Sequence, residues 1–241
     1  MDCPLRFERM ASAPVPDLFW AGLLTFVLVF TAGALLQTGL LMHLIATIVF
    51  GGMAGLLIYH WPGAREFGWA NRATLLRAAL VILLISLAPF AESLGGWLWL
   101  YAVLCLLALI LDGVDGSIAR KTGSQSEFGA RFDMELDALF ILGLCVTVIA
   151  LNKAGLWVLS LGLMRYGFLI AGHALPFLNR PLPDSFRRKT VCVWQVATLM
   201  IAILPVTSPH FATWTLATAL ILLVYSFATD VYWLYQRKEG I

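Results

Sequence analysis

The chain has 241 residues, of which 61% are hydrophobic and 12% charged, and its mean hydropathy is +0.87. A soluble domain carries roughly a quarter charged residues, so this composition excludes an ordinary soluble globule and points to a polytopic membrane protein in the lipid bilayer. The formal net charge of +2 says little in total, because the distribution of Lys and Arg along a membrane chain carries the information, and no nucleic-acid partner is expected. Cys3, Cys105, Cys145 and Cys192 are scattered without a CxxC pair, which gives neither a disulfide framework nor a zinc site.

In chain order, runs of about 20 apolar residues mark membrane spans. Their approximate limits are 18–36, 41–61, 74–91, 95–111, 133–151, 155–175, 190–205 and 211–235. The first run follows basic residues, as a signal peptide would, but it exceeds the usual core of about 7 to 15 residues and a second run follows at once, so it reads as a retained span. The predicted fold is an all-α, polytopic membrane helix bundle of about eight transmembrane helices.

With that count, alternate connections share a side. Arg6, Arg9, Arg65, Arg72, Arg77, Arg120, Lys121, Arg131, Arg180, Arg187, Arg188, Lys189, Arg237 and Lys238 all fall on one side or at its edge. The opposite connections hold only Lys153, and Arg165 lies within a span. The positive-inside rule then puts both termini in the cytoplasm. The longest polar connections, 62–73, 112–132 and 176–189, lie on that same face, so the chemistry is expected there.

One of these connections holds four aspartates. Asp112 and Asp115 are spaced i, i+3, and Asp133 and Asp137 i, i+4, spacings that bring side chains to one face of a helix. Four facing anions repel unless cations sit between them. Hard divalent ions with oxygen ligands meet that need and usually bridge to substrate phosphates. Gly116 and Gly129 leave room for a ligand against the backbone, and Arg120 supplies a planar cation suited to phosphate oxygens. An alternative is that the acids cap helices or pair with Arg120, Lys121 and Arg131.

Asp112, Asp115, Gly116, Ala119, Arg120, Gly129, Asp133 and Asp137 match, with every spacing kept, the DxxDGxxARx(8)GxxxDxxxD signature of the CDP-alcohol phosphotransferases, and the chain resembles that family from Asn71 onward. The resemblance implies a six-helix catalytic core within 62–241, preceded by a two-helix extension in 1–61. It implies two divalent cations, Mg²⁺ or Mn²⁺, held by Asp112, Asp115, Asp133 and Asp137, with Asp137 also the general base. It implies a CDP-lipid pocket of Gly116, Arg120, Ser126 and Gly129, to which Asn71 and Thr74 in NRATLLR belong on a looser match; Asn71 reads equally well as an N-cap. The implied substrates are CDP-diacylglycerol and a small alcohol acceptor, with release of CMP. Family members are often homodimers, and the expected location is the bacterial cytoplasmic (inner) membrane.

Arg165, in LMRYGFL, needs an anionic partner or a wet cavity in its apolar span. With Arg187, Arg188 and Lys189 it suggests a cationic pocket for a phosphate on the acceptor, which favours glycerol 3-phosphate, then inositol phosphate, over serine or another alcohol. The alternatives are that Arg165 pairs with an aspartate and that the RRK cluster serves topology alone. A divalent-cation transporter is the rival reading from another class; it predicts acids continuing across the bilayer, and Asp230 is the only further acid within a span.

Overall fold

The computed structural model describes residues 14–61, 68–122, 127–180, 182–183 and 185–236. Those residues form α-helices and short 3₁₀ segments, with no strand among them. The chain packs as two compact units, the first ending at Phe140 and the second beginning at Ile141.

In the first unit, α1 (Val15–Leu36) has Pro16 in its opening turn and Asp17 beside its positive N-terminal end, both favourable there. It ends at Gln37, whose φ of 51° is left-handed, and Gly39, at φ 71°, opens α2 (Gly39–His60) after this tight reversal. Each helix has 22 residues, roughly 33 Å at 1.5 Å per residue, enough to cross a hydrocarbon core of about 30 Å. The inward stripe of α1 is Leu18, Ala21, Thr25, Val29 and Gly33, at helical spacing. Gly22 lets α2 come close, since a Cβ there would stand 3.0 Å from the Phe50 ring. The outer faces carry Phe19, Trp20, Phe26, Phe30, Leu40 and Ile48, all exposed, and such a surface suits lipid rather than water.

The centre of this unit is α3 (Gly68–Leu87), packed against α1, α2 and α4. Leu75, Ala78, Ala79, Val81, Ile82, Leu83 and Leu84 are all buried, as expected where the second half of the helix, after Arg77, is an unbroken apolar run. A 3₁₀ segment (Ala88–Trp97) reverses the chain at Gly95, φ 51°, and leads into α4 (Leu98–Thr122). Tyr101 on α4 donates to the Leu84 carbonyl of α3 at 3.2 Å. The helix α5 (Glu127–Ala150) begins in this unit, where Phe128 meets Trp61 edge-to-face, with ring centres 5.2 Å apart.

The second unit takes the rest of α5, then α6 (Leu159–Ala174), α7 (Phe186–Ile203) and α8 (Pro209–Gln236). Gly162 on α6 lies so close to α5 that a Cβ would stand 3.1 Å from the Leu142 Cα. Buried Gln195 on α7 donates to the Leu161 carbonyl at 2.9 Å, and Phe168 meets Phe227 of α8 at 5.5 Å.

Among the described residues, five segments are long and apolar enough to cross a membrane: Val15–Leu36, Gly39–His60, Asn71–Gly113, Leu156–Ala174 and Pro209–Gln236. The third spans 43 residues and contains α3, the 3₁₀ segment and α4. The chain is therefore an integral, all-α polytopic membrane protein. Helices α5 and α7, which carry charged residues at their starts, fall outside those five. The helices also run further into polar sequence than the apolar runs: α4 continues to Thr122 and α5 starts at Glu127. The expected polar connection at 112–132 is thus largely helical, because helical hydrogen bonding continues past the hydrocarbon boundary.

Candidate active site

The acidic signature lies on two helices of the first unit, and a third helix completes the cluster. Asp112 belongs to α4, Asp133 and Asp137 to α5, and Arg77 reaches in from α3. Arg77 is 2% exposed. Its Nη1 donates to Asp112 Oδ1, and its Nη2 donates to Asp133 Oδ1 at 2.6 Å and Asp137 Oδ1 at 3.1 Å. One guanidinium thus joins three carboxylates that are 35, 56 and 60 residues away in sequence. These are charge-assisted bonds, the stronger class, and they offset the cost of burying the cation.

One oxygen from each of Asp112, Asp133 and Asp137 lies within 4.8 Å of the others, close enough for a shared ion, and the three residues are half-buried. This donor set fits a divalent cation, because carboxylate oxygens are hard ligands and three of them converge here. Asp115, Gly116 and Arg120 are on α4 one to two turns beyond Asp112; the side chains of Asp115 and Arg120 lie outside the described ones, as does the whole of Ser126. Gly129 precedes Asp133 by four residues on α5, one turn away on the same face.

Asn71, Thr74 and Arg77 follow one another at three-residue spacing on α3, and Thr74 is buried. Because α3 begins at Gly68, Asn71 is inside the helix and is not its N-cap. Arg72, next to it, pairs with Asp17 of α1 at 2.9 Å. Sequence reasoning counts Arg77 only as a cytoplasmic-side charge and misses its place among the aspartates. The signal was available: Arg77 sits in LLRAALVILL, and an arginine in an apolar run needs a partner, the argument that singles out Arg165.

The basic residues expected at the acceptor belong to the second unit. Arg165 is half-buried on α6, and Lys189 is exposed on α7. Arg187 donates to Asp230 Oδ1 at 2.5 Å and to the Ser226 carbonyl at 2.8 Å. Arg188 reaches the same Asp230 oxygen at 3.4 Å and donates to the Pro183 carbonyl. Asp230 is buried, and this acid, which the sequence reading places within a span, is an ion-pair partner, a role not read from the sequence.

The profile of the CDP-alcohol phosphatidyltransferases matches residues 67–228. The chain belongs to this family. Its signature aspartates, three of them gathered around Arg77, lie in the matched region, while α1 and α2 lie outside it. A stretch of 69 residues is 37% identical to human ethanolaminephosphotransferase 1, and the mouse protein of the same name is 36% identical over the same length. That stretch is 28% of this chain and 17% of either relative, so the chain spans about a sixth of the length of the curated relatives it matches. No solved structure matches the chain. The family comprises transferases of phospholipid biosynthesis that depend on divalent cations.

Proposed function

We propose that the chain transfers a phosphatidyl group from CDP-diacylglycerol to the hydroxyl of a small alcohol, releasing CMP, with a phosphorylated polyol as acceptor, glycerol 3-phosphate first and inositol phosphate second. The observation that carries the reaction class is the convergence of Asp112, Asp133 and Asp137 within a signature of this family.

Two divalent cations, Mg²⁺ or Mn²⁺, held by Asp112, Asp115, Asp133 and Asp137, would supply the positive charge that neutralises the diphosphate and the departing CMP. Asp137 takes the proton from the acceptor hydroxyl as the new O–P bond forms at the β-phosphorus and the bond from that phosphorus to CMP breaks. Asn71, Thr74, Gly116, Arg120, Ser126 and Gly129 hold the cytidine diphosphate. Arg165, Arg187, Arg188 and Lys189 attract the acceptor's phosphate, an assignment that rests on the sequence pattern and on the bidentate fit of arginine to phosphate. In this reading residues 62–241 form the catalytic core and 1–61 an extension, in keeping with a family match that begins at residue 67. The active site and both termini face the cytoplasm of a bacterial inner membrane.

The likeness to ethanolaminephosphotransferase 1 favours a second reading, in which a CDP-linked head group is transferred to a lipid hydroxyl. One experiment separates the two. Purified protein in detergent is given either CDP-diacylglycerol with glycerol 3-phosphate, inositol phosphate, serine or inositol, or CDP-ethanolamine with diacylglycerol, and CMP is measured. Release only with CDP-diacylglycerol and a phosphorylated polyol supports the first reading. Release only with CDP-ethanolamine and diacylglycerol replaces it with the second, and release with serine alone removes the acceptor assignment.

A further inference from the structure

Arg77 has no role in the signature or in the scheme above, yet it is the most deeply buried charged residue of the first unit's site. Its helix neighbours Leu75, Ala78, Val81 and Ile82 are all buried and apolar, so water does not solvate the guanidinium. Three of its carboxylate bonds go to Oδ1 atoms of residues that qualify together as ion ligands. Counted over these four described residues, one positive charge against three negative ones leaves a net negative group that is short of cations.

We propose that Arg77 is the resident counter-ion of the carboxylate cluster: it bridges Asp112, Asp133 and Asp137 when no metal is bound, and it must give up part of those contacts for a divalent cation to enter. The inference rests on the metal reading under Proposed function and deepens it. Two cations within the reach of the same carboxylates repel each other, so the guanidinium and the metal compete for one set of oxygens. Arginine suits the task because its planar fork engages several carboxylates at once, whereas lysine offers a single point charge. The cluster is thereby protected from self-repulsion before loading, and the metal affinity is held below what the bare aspartates would give.

The test is a Mn²⁺ titration of chelator-stripped protein in detergent, with free Mn²⁺ read by electron paramagnetic resonance, on wild type and on the neutral variants Arg77→Gln and Arg77→Met. Folded variants are expected to bind Mn²⁺ about tenfold tighter or more, and their metal-free melting temperatures to fall, with Mn²⁺ recovering more of the loss than it adds to wild type. Equal or weaker Mn²⁺ binding in a folded variant, with wild type binding normally, overturns the proposal and leaves the metal reading standing. Absence of Mn²⁺ binding in all three proteins overturns the metal reading and this proposal together. Arg77→Met decides if Arg77→Gln does not fold. If neither folds, ¹⁵N-arginine-labelled wild type decides: Mg²⁺ should move the Arg77 Nε–H resonance, and an unmoved resonance in the Mg²⁺-bound protein overturns the proposal.

Discussion

Arg187 on α7 and Asp230 on α8 are joined by a 2.5 Å ion pair across 43 residues of sequence. Arg188 shares the same oxygen, and the Tyr225 ring lies 6.0 Å from the Arg187 guanidinium. A carboxylate shared by two arginines leaves one positive charge in excess, which an anionic ligand can use.

Asp230→Asn is therefore expected to act in two ways. Removing one partner of a mostly buried pair costs on the order of 3 kcal/mol, visible as a lowered thermal midpoint in detergent. The freed arginines should also lower the KM for a phosphorylated acceptor and leave that for the CDP-lipid nearly unchanged. An acceptor KM that rises or stays constant in folded Asp230→Asn counts against an acceptor role for Arg187 and Arg188.

Metal removal is expected to abolish CMP release. Anionic carboxylates cannot grip an anionic diphosphate unaided, so chelator should bring turnover to background, and Mg²⁺ or Mn²⁺ should restore it. Full turnover in excess chelator would mean that Asp112, Asp133 and Asp137 serve another purpose.

Asp112→Asn and Asp137→Asn should differ. The first is expected to weaken both Mn²⁺ and CDP-lipid binding. The second is expected to lower kcat by about 10²-fold or more, as general bases contribute, with a smaller loss of nucleotide affinity, because proton removal matters chiefly in the transition state. Equal loss of CDP-lipid affinity with normal single-turnover chemistry in both variants would reverse the assignment.

Lys153 makes a structural prediction on the opposite side of the predicted topology. Its ammonium donates to the Leu204 carbonyl, the C-cap of α7, and its own carbonyl accepts from Thr213 Oγ1 at 3.1 Å. Burial pushes its pKa below the usual lysine range, yet either protonation state donates. Lys153→Met removes this donor, but the Leu204 carbonyl still accepts from the Thr207 N–H at 3.1 Å, so the loss should be about 0.5–1.5 kcal/mol, read as a lower thermal midpoint with the KM values unchanged. An unaltered midpoint would show that water replaces the bond at no cost.

The same residue shows where sequence and structure part. Its position among connections otherwise free of Lys and Arg is legible from the chain alone, and so is its departure from the charge pattern. The reason, a carbonyl 51 residues away, is not. The tight turn at Gln37 to Gly39 likewise moves the start of α2 only slightly from the apolar run, whereas α3, α4 and α5 extend by several residues into polar sequence that hydropathy reads as connection.

What the sequence determined by itself was local: apolar runs long enough to span a bilayer, the sidedness of the basic residues, and carboxylates at i, i+3 and i, i+4, which helix geometry alone brings to one face. The eight-position signature belongs to the same class, since it is a set of fixed spacings within 26 residues. Only the tertiary structure decided which helix faces which. It inserted Arg77 of α3 among aspartates of α4 and α5, and it paired Arg187 and Arg188 with Asp230. The physical reason is that periodicity reports which side of a helix is buried and carries no record of the neighbour it is buried against; that is set by packing and by the cost of leaving a buried charge without its opposite.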